Sequence, residues 1–150
     1  MKKRIILLIL ILGITGVSGI FAQGFVKGSF CLGLVGVGGD KKVKGAGFGG
    51  DVDIDIVNSF GFTIGVKLVE GFALGDGVVV APGLGYTYNG GSWSAGAKFM
   101  MTVLGYATPG IDFNGSYWFF DNFGINADLG FLFGHKFTCY MLTVGVTARR

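Results

Sequence analysis

The stretch Asp51-Val52-Asp53-Ile54-Asp55-Ile56-Val57-Asn58-Ser59-Phe60-Gly61-Phe62-Thr63-Ile64-Gly65-Val66-Lys67-Leu68 holds two runs of strict alternation on either side of an Asn-Ser turn signal. Asp51, Asp53 and Asp55 alternate with Val52, Ile54 and Ile56, and then Thr63, Gly65 and Lys67 alternate with Phe62, Ile64, Val66 and Leu68. Successive side chains of a strand point to opposite faces, so each run has one apolar face and one polar or charged face. Helical spacing fits neither run. The stretch predicts a β-hairpin. With its turn centred on Ser59, residues whose numbers sum to 118 face each other, so Asp51 opposes Lys67.

The same alternation recurs further along the chain. Trp93, Ala95, Ala97, Phe99, Met101 and Val103 are set against Ser94, Gly96, Lys98, Met100 and Thr102, and Ile111, Phe113, Gly115, Tyr117 and Phe119 against Asp112, Asn114, Ser116 and Trp118. Asn58-Ser59, Asn89-Gly90-Gly91 and Asp121-Asn122 are tight-turn signals. Looser, glycine-bearing connections lie near 38–47, 71–77, 105–110 and 134–136. Together they predict eight strands, near 24–37, 48–57, 60–70, 78–88, 92–104, 110–119, 123–133 and 137–148.

Composition decides what such a sheet faces. The chain has 150 residues, 51% of them hydrophobic, 15% aromatic and 14% charged, with 30 glycines and 2 prolines, and a mean hydropathy of +0.63. A soluble domain carries about 25% charged residues and about 7% glycine, so these charges are too few to coat a water-facing globule. Glycine without a period of three excludes collagen, and the apolar content excludes disorder.

Lys2, Lys3 and Arg4 precede the apolar run Ile5 to Leu12, and small residues lead to a cleavage point after Ala22. This pattern predicts a secretory signal peptide over residues 1–22, with an uncleaved anchor helix as the alternative. Removing it takes three of the 12 basic residues and none of the 9 acids, leaving nine of each, so the formal +3 belongs to the signal. With no basic stripe remaining, a nucleic-acid partner is not expected.

Residues 23–150 then form one domain. In lipid every backbone group must be paired internally, so a sheet can span a membrane only if it closes. Eight antiparallel strands joined in sequence predict an all-β, up-and-down transmembrane barrel, with termini and tight turns on the periplasmic side and looser loops outside. Phe60, Phe62, Tyr86, Tyr88, Trp93, Phe119, Phe120 and Phe123 gather near the tight turns, and Phe48, Phe72, Tyr106, Phe131, Phe133 and Tyr140 near the loops. These are the positions of interfacial girdles. Pro82 lacks a ladder donor, so strand four is expected to start after it or to bulge there.

On signal, alternation, turn rhythm and girdles, the chain resembles the small eight-stranded outer-membrane barrels of the OmpA, OmpX and OmpW kind. The resemblance implies a bacterial outer-membrane location in a two-membrane cell and delivery by periplasmic chaperones to the barrel-assembly machinery. It also implies a non-enzymatic role, either structural or in restricted passage of small solutes or hydrophobic molecules. Members close with an aromatic residue, whereas this chain ends in Arg149-Arg150. Outer-membrane lipid is the expected surrounding partner and a monomer the expected state.

Lys27, Asp51, Asp53, Asp55, Lys67, Lys98, Asp112 and Asp128 all fall on the non-apolar parity and are predicted to point inward. An eight-stranded barrel is just wide enough for side chains to fill it. Five acids and three lysines therefore predict an ion-paired plug, with a cation-preferring thread of water as the alternative.

Other motifs carry little. Gly45, Gly47 and Gly50 match a dinucleotide glycine pattern, but a strand follows where the phosphate-binding helix must start. Asp51, Asp53 and Asp55 imitate a calcium loop, yet Ile56 and Phe62 occupy its glycine and glutamate positions. His135 is the only histidine, with no serine near it in sequence, so neither a catalytic site nor a cofactor is expected. One histidine and two distant cysteines give no zinc spacing. Cys31 and Cys139 lie on the first and last strands with inward parity. Across the closing seam they could form a disulfide in an oxidising compartment, the alternative being two buried free thiols.

The rival reading is a soluble periplasmic or secreted lipocalin-like barrel holding an apolar ligand. It requires the apolar face inward and the charged face outward.

Overall fold

The computed structural model describes residues 24–39, 45–71, 78–103, 107–135 and 137–150. The expected signal at 1–22 and the segment 40–44, which carries Asp40, Lys41, Lys42 and Lys44, lie outside the described residues, as do Phe72 and Tyr106. Eight antiparallel strands, β1 (Phe25–Gly39), β2 (Gly45–Val57), β3 (Phe62–Gly71), β4 (Val79–Asn89), β5 (Trp93–Met101), β6 (Pro109–Phe120), β7 (Phe123–Phe133) and β8 (Phe137–Arg149), pair in chain order. β8 pairs with β1 and closes the barrel, so no edge is left unpaired.

Polarity is inside out. Leu84 is 63% exposed and Phe48 58%, whereas Lys27, Lys67 and Lys98 are each 1% exposed. A lipocalin-like barrel needs the reverse. Aromatic pairs mark both rims: Tyr88 and Trp93 (5.2 Å between centroids), Phe62 and Tyr86 and Tyr117 and Phe119 near the turns, and stacked Phe131 and Phe133 near the loops.

The β2–β3 turn shows how one side chain sets a register. The Asn58 carboxamide oxygen accepts the N–H groups of Phe60 and Phe62, each at 2.9 Å, and Asn58 N–H donates to Phe62 C=O at 2.9 Å. Gly61 completes the turn at φ +91°, a conformation that disfavours any side chain. The turn is therefore centred on Phe60, one residue later than the Asn-Ser signal suggests. Asp53 faces Lys67 and Asp51 faces Val69, which corrects the expected opposition of Asp51 and Lys67.

Pro82 sits within β4, with no bulge recorded there, opposite Val66 of β3. Val80 C=O accepts from Val103 N–H, so the even-numbered backbone groups of this segment aim toward β5. The β4–β5 ladder begins at Gly83 and Met100, which leaves the missing donor of Pro82 just beyond its end. The strand neither starts after Pro82 nor bulges. The single irregularity among the described pairings falls between Trp118 and Phe120.

From Lys27 the pairing runs through Asp55, Gly65, Gly83, Met100, Gly110, Leu132 and Cys139 and returns to β1 at Val37, ten residues beyond its start. This stagger is what a tilted, closed barrel requires. It also separates the cysteines: Cys31 faces Gly145, and Cys139 faces Val37. Six residues along a strand are about 20 Å, far beyond the roughly 7 Å that a disulfide spans. Both thiols are free and buried. Inward parity on the two seam strands does not make them neighbours, because the shear displaces one strand against the other.

Candidate functional site

The barrel interior is layered along its axis. Alternation aims the odd positions of β1, β2, β3 and β8 and the even positions of β5, β6 and β7 inward, and most of them are buried.

The middle layer is ionic. Lys67 Nζ of β3 lies 2.7 Å from Asp112 Oδ1 of β6, 3.2 Å from Asp128 Oδ1 of β7, and 3.7 and 3.8 Å from Asp51 and Asp53 of β2. Lys98 Nζ of β5 donates to Asp53 Oδ2 at 2.5 Å and Asp55 Oδ1 at 2.7 Å, with Asp112 Oδ2 at 3.8 Å. The contacts of Lys67 with Asp112 and Asp128 and of Lys98 with Asp53 and Asp55 join strands that are not neighbours in the sheet, so they cross the lumen. Two ammonium groups thus serve five carboxylates, and Asp53 Oδ1 and Asp55 Oδ2 are buried with no hydrogen bond.

Lys27 is set apart. Its ammonium donates to Asn114 Oδ1 at 2.9 Å and to Ser116 Oγ and Asn126 Oδ1 at 3.3 Å, and it forms no ion pair among the described residues. Neutral groups complete the network. Thr143 Oγ1 donates to Asp51 Oδ2 at 2.5 Å, Asn126 Nδ2 donates to Asp128 Oδ2, and Cys31 Sγ donates to Asp128 Oδ2 at 3.3 Å. Asn114, Ser116, Asn126 and Thr143 belong to the site although charge patterning does not pick them out. Their inward parity is the signal that finds them.

Toward the loops the lumen turns apolar: Val35, Val69, Ala81, Met100, Leu132, Cys139 and Met141 pack together above the ionic layer. Toward the turns, Arg149 lies across the mouth. Its guanidinium stacks 4.4 Å over Trp118, and it donates to Asp121 C=O at 2.6 Å and to Asn89 Oδ1 and Gly91 C=O at 3.3 Å. One side chain thus ties two turns together.

Two groups, Cys31 with Asp51 and Asp128, and Asp53 with Asp112 and Asp128, hold donor atoms within 4.8 Å of one another. The Lys67 ammonium already stands among the carboxylates of the second. In the first, Thr143 and Asn126 donate into the carboxylates and the Cys31 thiol donates to Asp128. The site is a cross-linked ionic core rather than an open coordination sphere. His135 is exposed beyond β7, away from this layer.

No protein-family model matches the chain, and no curated protein matches it in sequence. Solved structures do match in fold. Ail, the attachment invasion locus protein of Yersinia pestis, superposes with a TM-score of 0.59 and 12% identity, over 85% of this chain and 99% of that one. Neisserial surface protein A gives 0.59 and 12%, over 83% and 96%. A de novo designed transmembrane β-barrel gives 0.58 and 9%, over 85% and 96%. The chain has the fold of these small transmembrane barrels.

Proposed function

We propose that the chain is a non-enzymatic integral outer-membrane barrel whose lumen is a solid ionic core, so that its role is structural and is exercised through its lipid-facing wall and its loops. The observation that carries this reading is Lys67, whose ammonium lies within 4 Å of carboxylates from β2, β6 and β7. A side chain anchored across the lumen on three sides speaks against a continuous path for solute, and the apolar layer above it adds a barrier to ions. Both features speak against the water-thread alternative and against passage of small solutes.

The inside-out polarity supports a lipid setting and disfavours the lipocalin-like alternative. In this reading residues 1–22 direct export, and periplasmic chaperones deliver the chain to the barrel-assembly machinery. The termini and tight turns face the periplasm, and the barrel stands as a monomer in outer-membrane lipid. The only histidine is exposed and apart from the acids, which supports a role without catalysis.

Planar-bilayer recording of the purified, refolded chain tests the plug. The expected result is an absence of large steady conductance, and stable channels would overturn it. Heat-modifiable gel migration with detergent-dependent extraction tests the membrane setting, which a detergent-free soluble monomer would refute.

A further inference from the structure

Of the charged residues within the strands, eight face the lumen, Arg149 lies at the turn-side mouth, and Glu70 alone is exposed on the outer wall. It is the next-to-last residue of β3, at the loop end of the barrel. Among the described residues its carboxylate has no hydrogen bond or ion pair. A carboxylate at the lipid-facing rim is favoured by a cation beside it, and a cationic lipid headgroup at that depth can supply one.

The wall beside Glu70 is recessed. Leu32, Gly50 and Glu70 form one lateral row across β1, β2 and β3. Because Gly50 stands directly opposite Glu70, no side chain covers the carboxylate from that strand. A groove of about 510 Å³ opens there, walled by Phe48, Leu32, Val52, Leu68 and Val78, with Glu70 at its edge. That volume falls within the range of small-ligand sites. The floor at Gly50 is close-built, since an added Cβ would lie 2.8 Å from both Cys31 C=O and Leu32 Cδ2.

We propose that this groove binds one lipid whose headgroup carries a protonated primary amine: an acyl chain lies along Val52 and Leu68, and the ammonium donates to the Glu70 carboxylate. The shape accepts a flexible hydrocarbon, and the single acid selects the headgroup by charge and by hydrogen bonding. A quaternary ammonium has no N–H to donate, so phosphatidylcholine is the discriminating control. The proposal rests on the membrane reading above.

The test is native mass spectrometry of protein released from vesicles of equimolar phosphatidylethanolamine, phosphatidylcholine and phosphatidylglycerol, after heat-modifiable migration has verified insertion. Wild type is expected to retain phosphatidylethanolamine over each of the others by roughly fivefold, the scale of a partly exposed ion pair. Glu70→Gln should bring the ratio to about one, and Glu70→Lys should turn the preference to phosphatidylglycerol. Leu68→Trp, which fills the groove and leaves the acid, should lower retention of every lipid. Equal retention by wild type would overturn the proposal. So would a preference that survives Glu70→Gln, or a phosphatidylglycerol preference that appears only with calcium, which would mean a metal-bridged phosphate. Failure to insert would defeat the membrane reading itself, whereas insertion without selectivity would defeat only the lipid site.

Discussion

Lys67 Nζ stands 2.7 Å from Asp112 Oδ1, although the two residues lie on β3 and β6, strands that share no ladder. The bond crosses the lumen. Asp53 contacts both Lys67 and Lys98, and so does Asp112, so these contacts form one connected unit. In a sheet closed by backbone pairing alone, such a unit braces the barrel from within.

Removing the central cation should therefore cost more than removing a peripheral one. Lys67→Met leaves Asp112 and Asp128 buried without their nearest ammonium, a change worth about 3–5 kcal/mol. Lys27→Met leaves neutral hydrogen-bond acceptors unserved and breaks no ion pair among the described residues, which costs about 1–3 kcal/mol. Urea unfolding from lipid vesicles, followed by the fluorescence of Trp93 and Trp118, measures both. Equal losses would mean that ion pairing is not what holds the middle layer.

Gly65 makes room for the same layer. It faces Asp55 across the β2–β3 ladder, and an added Cβ would overlap Asp55 Oδ1. With no side chain at 65, the carboxylate can lean over β3 and reach Lys98 at 2.7 Å. Gly65→Ala should push Asp55 off its partner and destabilise the barrel by about 1–3 kcal/mol, read in the same urea titration. Adding Asp55→Asn should then cost less than it does in the wild-type background, because the pair is already weakened. Strict additivity would refute the link.

The face that carries Asp53, Lys67 or Lys98 follows from alternation, because a period of two leaves a side chain only two directions. Partners are another matter. The Asn58 side chain moves the β2–β3 turn by one residue, and that alone replaces Asp51 by Asp53 opposite Lys67. Whether Lys67 meets Asp112 depends on the shear accumulated around the barrel, which no local pattern carries. Arg149 illustrates the same limit. As sequence it is a charged ending in place of an aromatic one, and only the closed geometry brings it over Trp118.

Arg149 yields a prediction at the mouth. It is partly exposed, so its loss should be modest: Arg149→Ala removes the stack on Trp118 and the donors to Asp121, Asn89 and Gly91, together about 1–2 kcal/mol. Arg149→Lys keeps the charge without the planar fork and should recover less than half. Trp118 emission should shift in the alanine variant while secondary structure by circular dichroism holds. An unchanged Trp118 signal would show that the stack does not persist in the membrane.

The seam between β1 and β8 offers the sharpest check of register. Wild-type protein should migrate identically on reducing and non-reducing gels, because Cys31 and Cys139 are offset by six residues. Val37 directly faces Cys139, and both side chains are buried in the lumen. Opposed antiparallel residues have Cα atoms about 4.5–5.5 Å apart, inside the roughly 4.4–6.8 Å window of a disulfide. Val37→Cys combined with Cys31→Ser should therefore close a bridge to Cys139 on oxidation, and the folded protein should then resist heat-induced unfolding until it is reduced. If Cys31 were the true neighbour of Cys139, the wild type would oxidise and the engineered pair would not. That outcome would require a different shear, and with it a different set of lumen partners for Lys67.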